Sequence, residues 1–288
     1  MTQKRLAQLS LVLITMIWGV TFVMVKEALN DAPPYMFASL RFGLAFFIGL
    51  VYLNKNIKDI NHLEMVGGLV CGLCLFAGYA FQNYGLMQTT PSKSAFITSV
   101  SVILVPVILS IFRIKKVDFK IWISVSLATI GLYVLLNPSG GEVNIGDILT
   151  FGCALSFAFH IIAQDYYLTK GSSISRLFLS QVMFAALFSS MSVFAFESPE
   201  IIISQRLIIA ILVTGFLATF VAIMLMVWAQ TILNANQTAL FLSLEPVFAA
   251  LFSTTFAGEI LGVHGWVGGM IVVFGVISSE FSFIKKIA

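Results

Sequence analysis

Asn137-Pro-Ser-Gly-Gly-Glu-Val-Asn-Ile-Gly-Asp147 is the longest polar stretch of the chain, and it holds no Lys or Arg. Its Pro and Gly residues break helices. Five apolar stretches precede it, at roughly 6–26, 35–53, 64–87, 94–112 and 119–136. Five follow, at roughly 147–167, 174–196, 206–231, 238–257 and 264–284. Each reaches the roughly 17–25 residues a helix needs to cross a bilayer, or falls within a turn of it. The expectation is an all-α integral membrane protein with ten transmembrane helices. The domains are a five-helix unit over 1–137, a loop over 138–147 and a second five-helix unit over 148–288.

Composition agrees. The chain is 59% hydrophobic and 10% charged, with a mean hydropathy of +1.00. A soluble domain is typically about 25% charged. The net charge of +3 is small and lies in the gaps, without a basic patch interleaved with exposed aromatics, which argues against nucleic acid as a partner. The amino terminus resembles the start of a signal peptide. No small-residue cleavage site follows it, so it reads as an uncleaved first helix.

The basic residues give the orientation. Lys4 and Arg5, Lys55 and Lys58, Arg113, Lys115, Lys116 and Lys120, Lys170 and Arg176, and Lys285 and Lys286 all fall on one side once the chain is threaded through ten spans. Lys26, Lys93 and Arg206 fall on the other, and Arg41 lies within the second span. Basic residues stay in the cytoplasm during insertion. Both termini are therefore expected in the cytoplasm, with the chain as a multi-pass protein of the cytoplasmic (inner) membrane.

The halves match sparsely. At an offset of 144, Tyr84 falls on Trp228, Ser99 on Ser243, Phe112 on Phe256, Trp122 on Trp266 and Gly131 on Gly275. Near an offset of 140, Trp18 falls close to Phe157 and Arg41 on Gln181. Five is odd, so a second copy must enter the membrane from the opposite side. Inverted repeats recur in secondary transporters, with the substrate site between the repeats near the midplane. Gly68 with Gly72, and Gly265 with Gly269, have the GxxxG spacing of close helix contacts.

Ionisable or strongly polar groups inside a span are costly, and by default they are functional candidates. Glu245, in Leu242-Ser-Leu-Glu-Pro246, sits a third of the way through the ninth span. Pro246 loosens the backbone beside it. The carboxylate either binds a cation, an amine or a proton, or is structural. His160 shares a helical face with Phe157 and Gln164. It either contributes to proton coupling or makes one neutral hydrogen bond between helices. Tyr79, Gln82, Asn83 and Leu86 share a face of the third span, suggesting a cavity wall. Trp18 lies mid-span; Tyr84 and Trp228 lie near opposite mouths, as gates or as an interfacial belt. Asp165 is expected to pair with Lys170 or Arg176. Arg41 is expected to snorkel or to pair with Glu27 or Asp31. Cys71, Cys74 and Cys153 read as small apolar packing.

Three segments carry a family resemblance: Ile17-Trp-Gly-Val-Thr-Phe22; Tyr84-Gly-Leu-Met-Gln-Thr-Thr-Pro-Ser-Lys-Ser-Ala-Phe96; and Ala239-Leu-Phe-Leu-Ser-Leu-Glu-Pro-Val-Phe-Ala-Ala-Leu251 followed by Gly258-Glu-Ile-Leu261. With these the chain resembles EamA-type transporters of the drug/metabolite transporter superfamily. The resemblance implies two inverted five-helix repeats around a central cavity, and transport of small metabolites, often export of amino acids or related compounds. Glu245, Pro246 and Glu259 match the family pattern. The first half departs from it: Ser101 stands where Glu245 aligns, and Pro106 comes four residues late.

The function expected is secondary active transport by alternating access, by a monomer or homodimer embedded in the lipid bilayer. The partners are a small-molecule substrate and a proton or counter-substrate. The expected substrate-binding residues are Trp18, Tyr79, Asn83, His160, Gln164, Trp228 and Glu245. No catalytic residue, cofactor or metal is expected. Import or exchange of a vitamin, nucleoside or other metabolite is the alternative. The chain has no Walker motif to couple ATP. An enzyme is disfavoured because His62, His160 and His264 are far apart and neither HExxH nor GxGD occurs. A channel is disfavoured because pores usually form from rings of subunits.

Overall fold

The computed structural model describes residues 2–53, 59–136, 144–198, 200–256 and 262–280. Lys55, Lys58, Glu259 with its Gly258–Leu261 motif, Lys285, Lys286 and most of the 138–147 loop lie outside the described residues, as do the side chains of 135, 136, 253, 256, 279 and 280.

The described residues form helices and no strands. They are α1 (Gln3–Ala28), α2 (Pro34–Tyr52), α3 (His62–Gln88), α4 (Pro91–Ser99), α5 (Ser101–Ile111), α6 (Phe119–Leu136), α7 (Ile145–Thr169), α8 (Ile174–Phe196), α9 (Gln205–Leu212), α10 (Ala222–Gln230), α11 (Ala235–Leu242), α12 (Glu245–Phe256) and α13 (Val263–Glu280). Val213–Val221, between α9 and α10, winds as a π-helix. Seven stretches are long and apolar enough to cross a membrane, counting α4–α5 and α9–α10 as one stretch each. Phe119–Val134 and Val263–Ser278 are shorter apolar helices.

Local chemistry sets the helix starts. Asn61 with Glu64, Asn144 with Asp147, and Asn234 with Gln237 form capping boxes, each satisfying N–H groups at a helix start reciprocally. α7 stops at Gly171, whose φ of 97° is left-handed and so favours glycine.

Two spans expected as single helices are interrupted. The 94–112 span begins at Pro91 and breaks at Val100; the 238–257 span begins at Ala235 and breaks at Ser243–Leu244. At both breaks a serine hydroxyl folds back on a carbonyl of the preceding turn: Ser99 Oγ to Ala95 O at 3.0 Å, and Ser243 Oγ to Leu240 O at 2.6 Å. The next amide then bonds only three residues back, Val100 to Ile97 and Leu244 to Phe241, each at 3.1 Å. These tight turns end one helix before the next starts.

α3 lies along α7 and α8, α6 along α13, α2 along α8 and the π segment, and α1 along α10 and α12. At the α3–α8 crossing, a Cβ on Gly68 would fall 2.1 Å from the Ser180 Cβ, so the GxxxG stripe brings backbones together. One packing cluster includes Leu11, Leu109, Leu132, Ile161, Leu240 and Val272. A second includes Phe42, Leu75, Phe178, Val182 and Ile223. Trp18 packs against both. Large side chains such as Phe47 and Phe194 point outward. That is the arrangement expected where the surroundings are as apolar as the core.

Candidate functional site

Between the two clusters lies a cavity of about 30 Å³. It holds roughly two water molecules. Four of the seven residues expected at the site line it: Trp18 from α1, Tyr79 from α3, His160 from α7 and Glu245 from the start of α12. Thr98, Ser99 and Ser101 line it from the α4–α5 break, Leu242 from the end of α11, and Phe157 from α7. Both helix interruptions therefore open onto the same space.

Gly19 sets the α1 wall. A Cβ there would lie 2.9 Å from Ala249 N and 3.1 Å from Glu245 O, so glycine lets α1 rest against the first turn of α12. Glu245 opens α12, and Pro246 stands in that first turn, where its missing N–H costs α12 itself no hydrogen bond. The break falls just ahead of Pro246, whose missing N–H and ring act on the carbonyl of Leu242 four residues back, where the preceding helix ends, as expected of this proline. The Glu245 side chain is 7% exposed and makes no ion pair among the described residues.

Trp18 and Tyr79 are anchored to the π-helical segment. Trp18 Nε1 donates to Ala218 O at 2.8 Å. Arg41, on α2, reaches the same place: Nε donates to Thr219 Oγ1 at 2.7 Å and Nη2 contacts Ala218 O at 3.4 Å. Nη2 also donates to Tyr79 Oη at 3.0 Å, and the Arg41 Cζ lies 4.0 Å from the Tyr79 ring centroid. Tyr79 in turn meets Phe157 edge-on at 5.2 Å. π winding is found mostly as short bulges, frequently at functional sites. Here it presents a carbonyl to two side chains from other helices.

Arg41 thus neither snorkels nor pairs with Glu27 or Asp31. Those two acids meet Arg206 instead, and Arg41 is 2% exposed among neutral acceptors. Asp165 pairs with Lys115 at 2.5 Å rather than with Lys170 or Arg176; Arg176 is drawn to Glu64 at 2.9 Å, and Lys170 sits over the Tyr166 ring.

His160 takes its interhelical role while facing the cavity, its Nε2 lying 2.8 Å from Gln181 Oε1 on α8. Asn83, Gln164 and Trp228 stand outside the cavity. Asn83 donates to Pro34 O at 3.1 Å, and Gln164 donates to Gln230 Oε1 at 2.5 Å. Gln230 passes the link on to Ile161 O at 3.1 Å. Trp228 is half-buried against the first packing cluster. These amides join helix to helix through their N–H groups, while Asn83 Oδ1 and Gln164 Oε1 are buried with no partner among the described residues. Arg41, Phe157 and the hydroxyls at the first break were not expected at the site. The match of Ser99 to Ser243 was the available signal for that break. No three His, Cys, Asp or Glu side chains cluster as metal ligands among the described residues.

Comparison with known proteins places the chain. The model of the EamA-like transporter family matches twice, over residues 5–137 and 144–279. An uncharacterized transporter of Archaeoglobus fulgidus is 37% identical, over 95% of this chain and 86% of its own length. An S-adenosylmethionine uptake transporter of Rickettsia bellii is 26% identical, over 83% and 81%. A probable amino-acid metabolite efflux pump of Escherichia coli is 26% identical, over 77% and 73%. A crystal structure of another protein superposes with a TM-score of 0.78 over 96% of each chain at 14% identity, a likeness of fold alone. With seven apolar stretches of membrane-crossing length and a family model that covers both halves, the chain is a multi-pass membrane protein that belongs to the EamA-like transporter family.

Proposed function

We propose that the protein is a secondary active transporter of the cytoplasmic membrane that exports small metabolites, amino acids or related compounds, by alternating access. The observation that carries this reading is Glu245, a buried carboxylic acid on a cavity at the seam between two packing clusters. A cavity with room for roughly two waters is too small for a metabolite. Loading it requires the clusters to part at one end. Trp18 belongs to both and is the natural hinge point of that parting.

In this reading ten transmembrane helices form two inverted five-helix repeats with both termini in the cytoplasm. Helix boundaries support the repeat: shifted by 144 residues, Phe119–Leu136 coincides with Val263–Glu280, and Pro91 with Ala235. The family model's two matches support it as well. The cavity is built by one chain, so a monomer suffices for the site, whether or not a homodimer forms. Trp18, Tyr79, His160 and Glu245 face the substrate. Asn83, Gln164 and Trp228 would join them only after the helices rearrange.

Glu245 is the proton carrier in this scheme. Glu245→Gln keeps the shape and removes the titratable group, so uptake driven by a pH gradient in proteoliposomes should fall at least tenfold while counterflow at equal pH persists. Undiminished gradient-driven uptake would sink the role. The uptake named for the Rickettsia relative favours a second reading, import or exchange of a larger metabolite such as a vitamin or nucleoside. Assaying counterflow from each face of oriented vesicles separates the two.

A further inference from the structure

We infer that Arg41 is a specificity-determining residue and that the site takes small solutes bearing a carboxylate. This inference rests on the carrier reading above. A guanidinium is charged at every physiological pH. Such a charge inside a membrane span calls for a counter-ion or a function. Arg41 has no acid within 4.0 Å among the described residues. Asp31, Glu64, Asp147 and Asp165 are engaged elsewhere, with Arg206, Arg176, Lys93 and Lys115 in turn, while Glu245, farther than 4.0 Å, attracts Arg41 without pairing with it. Its acceptors are a hydroxyl on Thr219, the phenol of Tyr79 and the Ala218 carbonyl, all neutral. Those bonds use Nε and Nη2. The two N–H groups of Nη1 have no acceptor among the described residues.

Tyr79 touches both this charge and the cavity. The Tyr79 ring lies 4.0 Å from the guanidinium carbon and also lines the cavity. Movement of that ring exposes Nη1 and Nη2 side by side, the fork that matches a carboxylate with two parallel hydrogen bonds. A neutral amide in the same position has one acceptor and no charge. The Trp18, Phe157 and Leu75 side chains around the space suit an apolar body on the solute. Glu245 completes the balance: carrying a proton, or bonded to an ammonium on the solute, it leaves the loaded site electroneutral.

The test is thermal unfolding of the purified protein in detergent with matched pairs: 3-phenylpropionate against 3-phenylpropionamide, and L-phenylalanine against L-phenylalaninamide. A ligand of the folded state raises the unfolding temperature. The carboxylates should stabilise at concentrations at least tenfold below their amides. Arg41→Gln should erase that preference, and Arg41→Lys, which keeps the charge and loses the fork, should reduce it several-fold. A purely structural arginine predicts otherwise: Arg41→Gln lowers the unfolding temperature without ligand and leaves the preference intact. Equal shifts for acid and amide, no shift with either acid, or wild-type preference in Arg41→Lys each overturn the inference. Arg41→Lys decides the matter if Arg41→Gln does not fold. Counterflow is measured separately. Its absence defeats the carrier reading, whereas counterflow without a carboxylate preference defeats this inference alone.

Discussion

The two interrupted helices share a backbone and differ in chemistry. α4–α5 and α11–α12 break at positions 144 residues apart, each behind a serine that bonds its own preceding turn. Past the break, the first half places Ser101 and the second places Glu245, and both line the cavity. The two breaks thus share a shape, and only the second is followed by an acid. Pro106 marks the same divergence. It sits inside α5, where its missing N–H leaves the Val102 carbonyl without a helical donor, whereas Pro246 stands in the first turn of α12. The cavity is asymmetric at the two breaks, because only the second is followed by a titratable group.

Making the halves alike should break the site. Ser101→Glu adds a second carboxyl to a cavity of about 30 Å³ that already holds the Glu245 side chain. Overpacking alone costs about 1–3 kcal/mol. Two acids sharing a small apolar space cannot both ionise cheaply. We expect the unfolding temperature to fall by roughly 5 °C or more, together with gradient-driven uptake. Ser101→Ala should leave both nearly unchanged. A stable, active Ser101→Glu protein would show that the asymmetry is incidental.

Much of this was legible in the sequence, for identifiable reasons. Apolar runs bounded by Asn61, Asn144 and Asn234 mark helices because an Asn followed three residues later by Glu, Asp or Gln caps a start. The offset that puts Ser99 on Ser243 falls on the two breaks. Arg41 was not legible, because its partners come from Ala218 and Thr219, far along the chain. Val213–Val221 gives no sign of π winding in its residue types. Asn83 and Gln164 looked like Tyr79 and His160, since a polar group on a buried face bonds a neighbouring helix as readily as it lines a cavity. Periodicity selects the face and not the partner.

The ionic links at the helix ends repeat the comparison with the signs exchanged. In the loop after α1 the acid is Asp31 and the base, Arg206, opens α9; at the start of α8 the base is Arg176 and the acid, Glu64, opens α3. Hydrogen bonds from Arg206, then Ser204, hold Asp31 at about 2, below its ordinary 3.8. A depressed carboxylate stabilises the folded state above its unfolded value, and the contribution is lost as pH falls towards the folded one. The stability gap between wild type and Asp31→Asn should therefore hold from pH 7 to about 5 and close between about 4 and 2. Unfolding temperatures across that range test it. A gap that stays constant down to pH 3 would show that Asp31 acts through its shape rather than its charge.

The smallest expected effect bears most directly on the repeat. If the two breaks are one device, removing the hydroxyl from either should cost a similar small amount. Hydrogen bonds across neighbouring membrane helices average about 0.6 kcal/mol, and a serine bonding back onto its own helix contributes no more than that. Ser99→Ala and Ser243→Ala should each lower stability by that much or less, since both serines are buried and bond a carbonyl in the turn behind them. Their consequences for transport should differ. Ser243 lies two residues before Glu245, so straightening that break turns the carboxyl away from Trp18 and Tyr79. Straightening the first break moves only hydroxyls. Equal stability losses with a larger transport defect in Ser243→Ala support one backbone device serving two chemistries. A transport defect as large in Ser99→Ala would place part of the ligand's recognition on the first half, and Thr98 and Ser101 would then be the next positions to change.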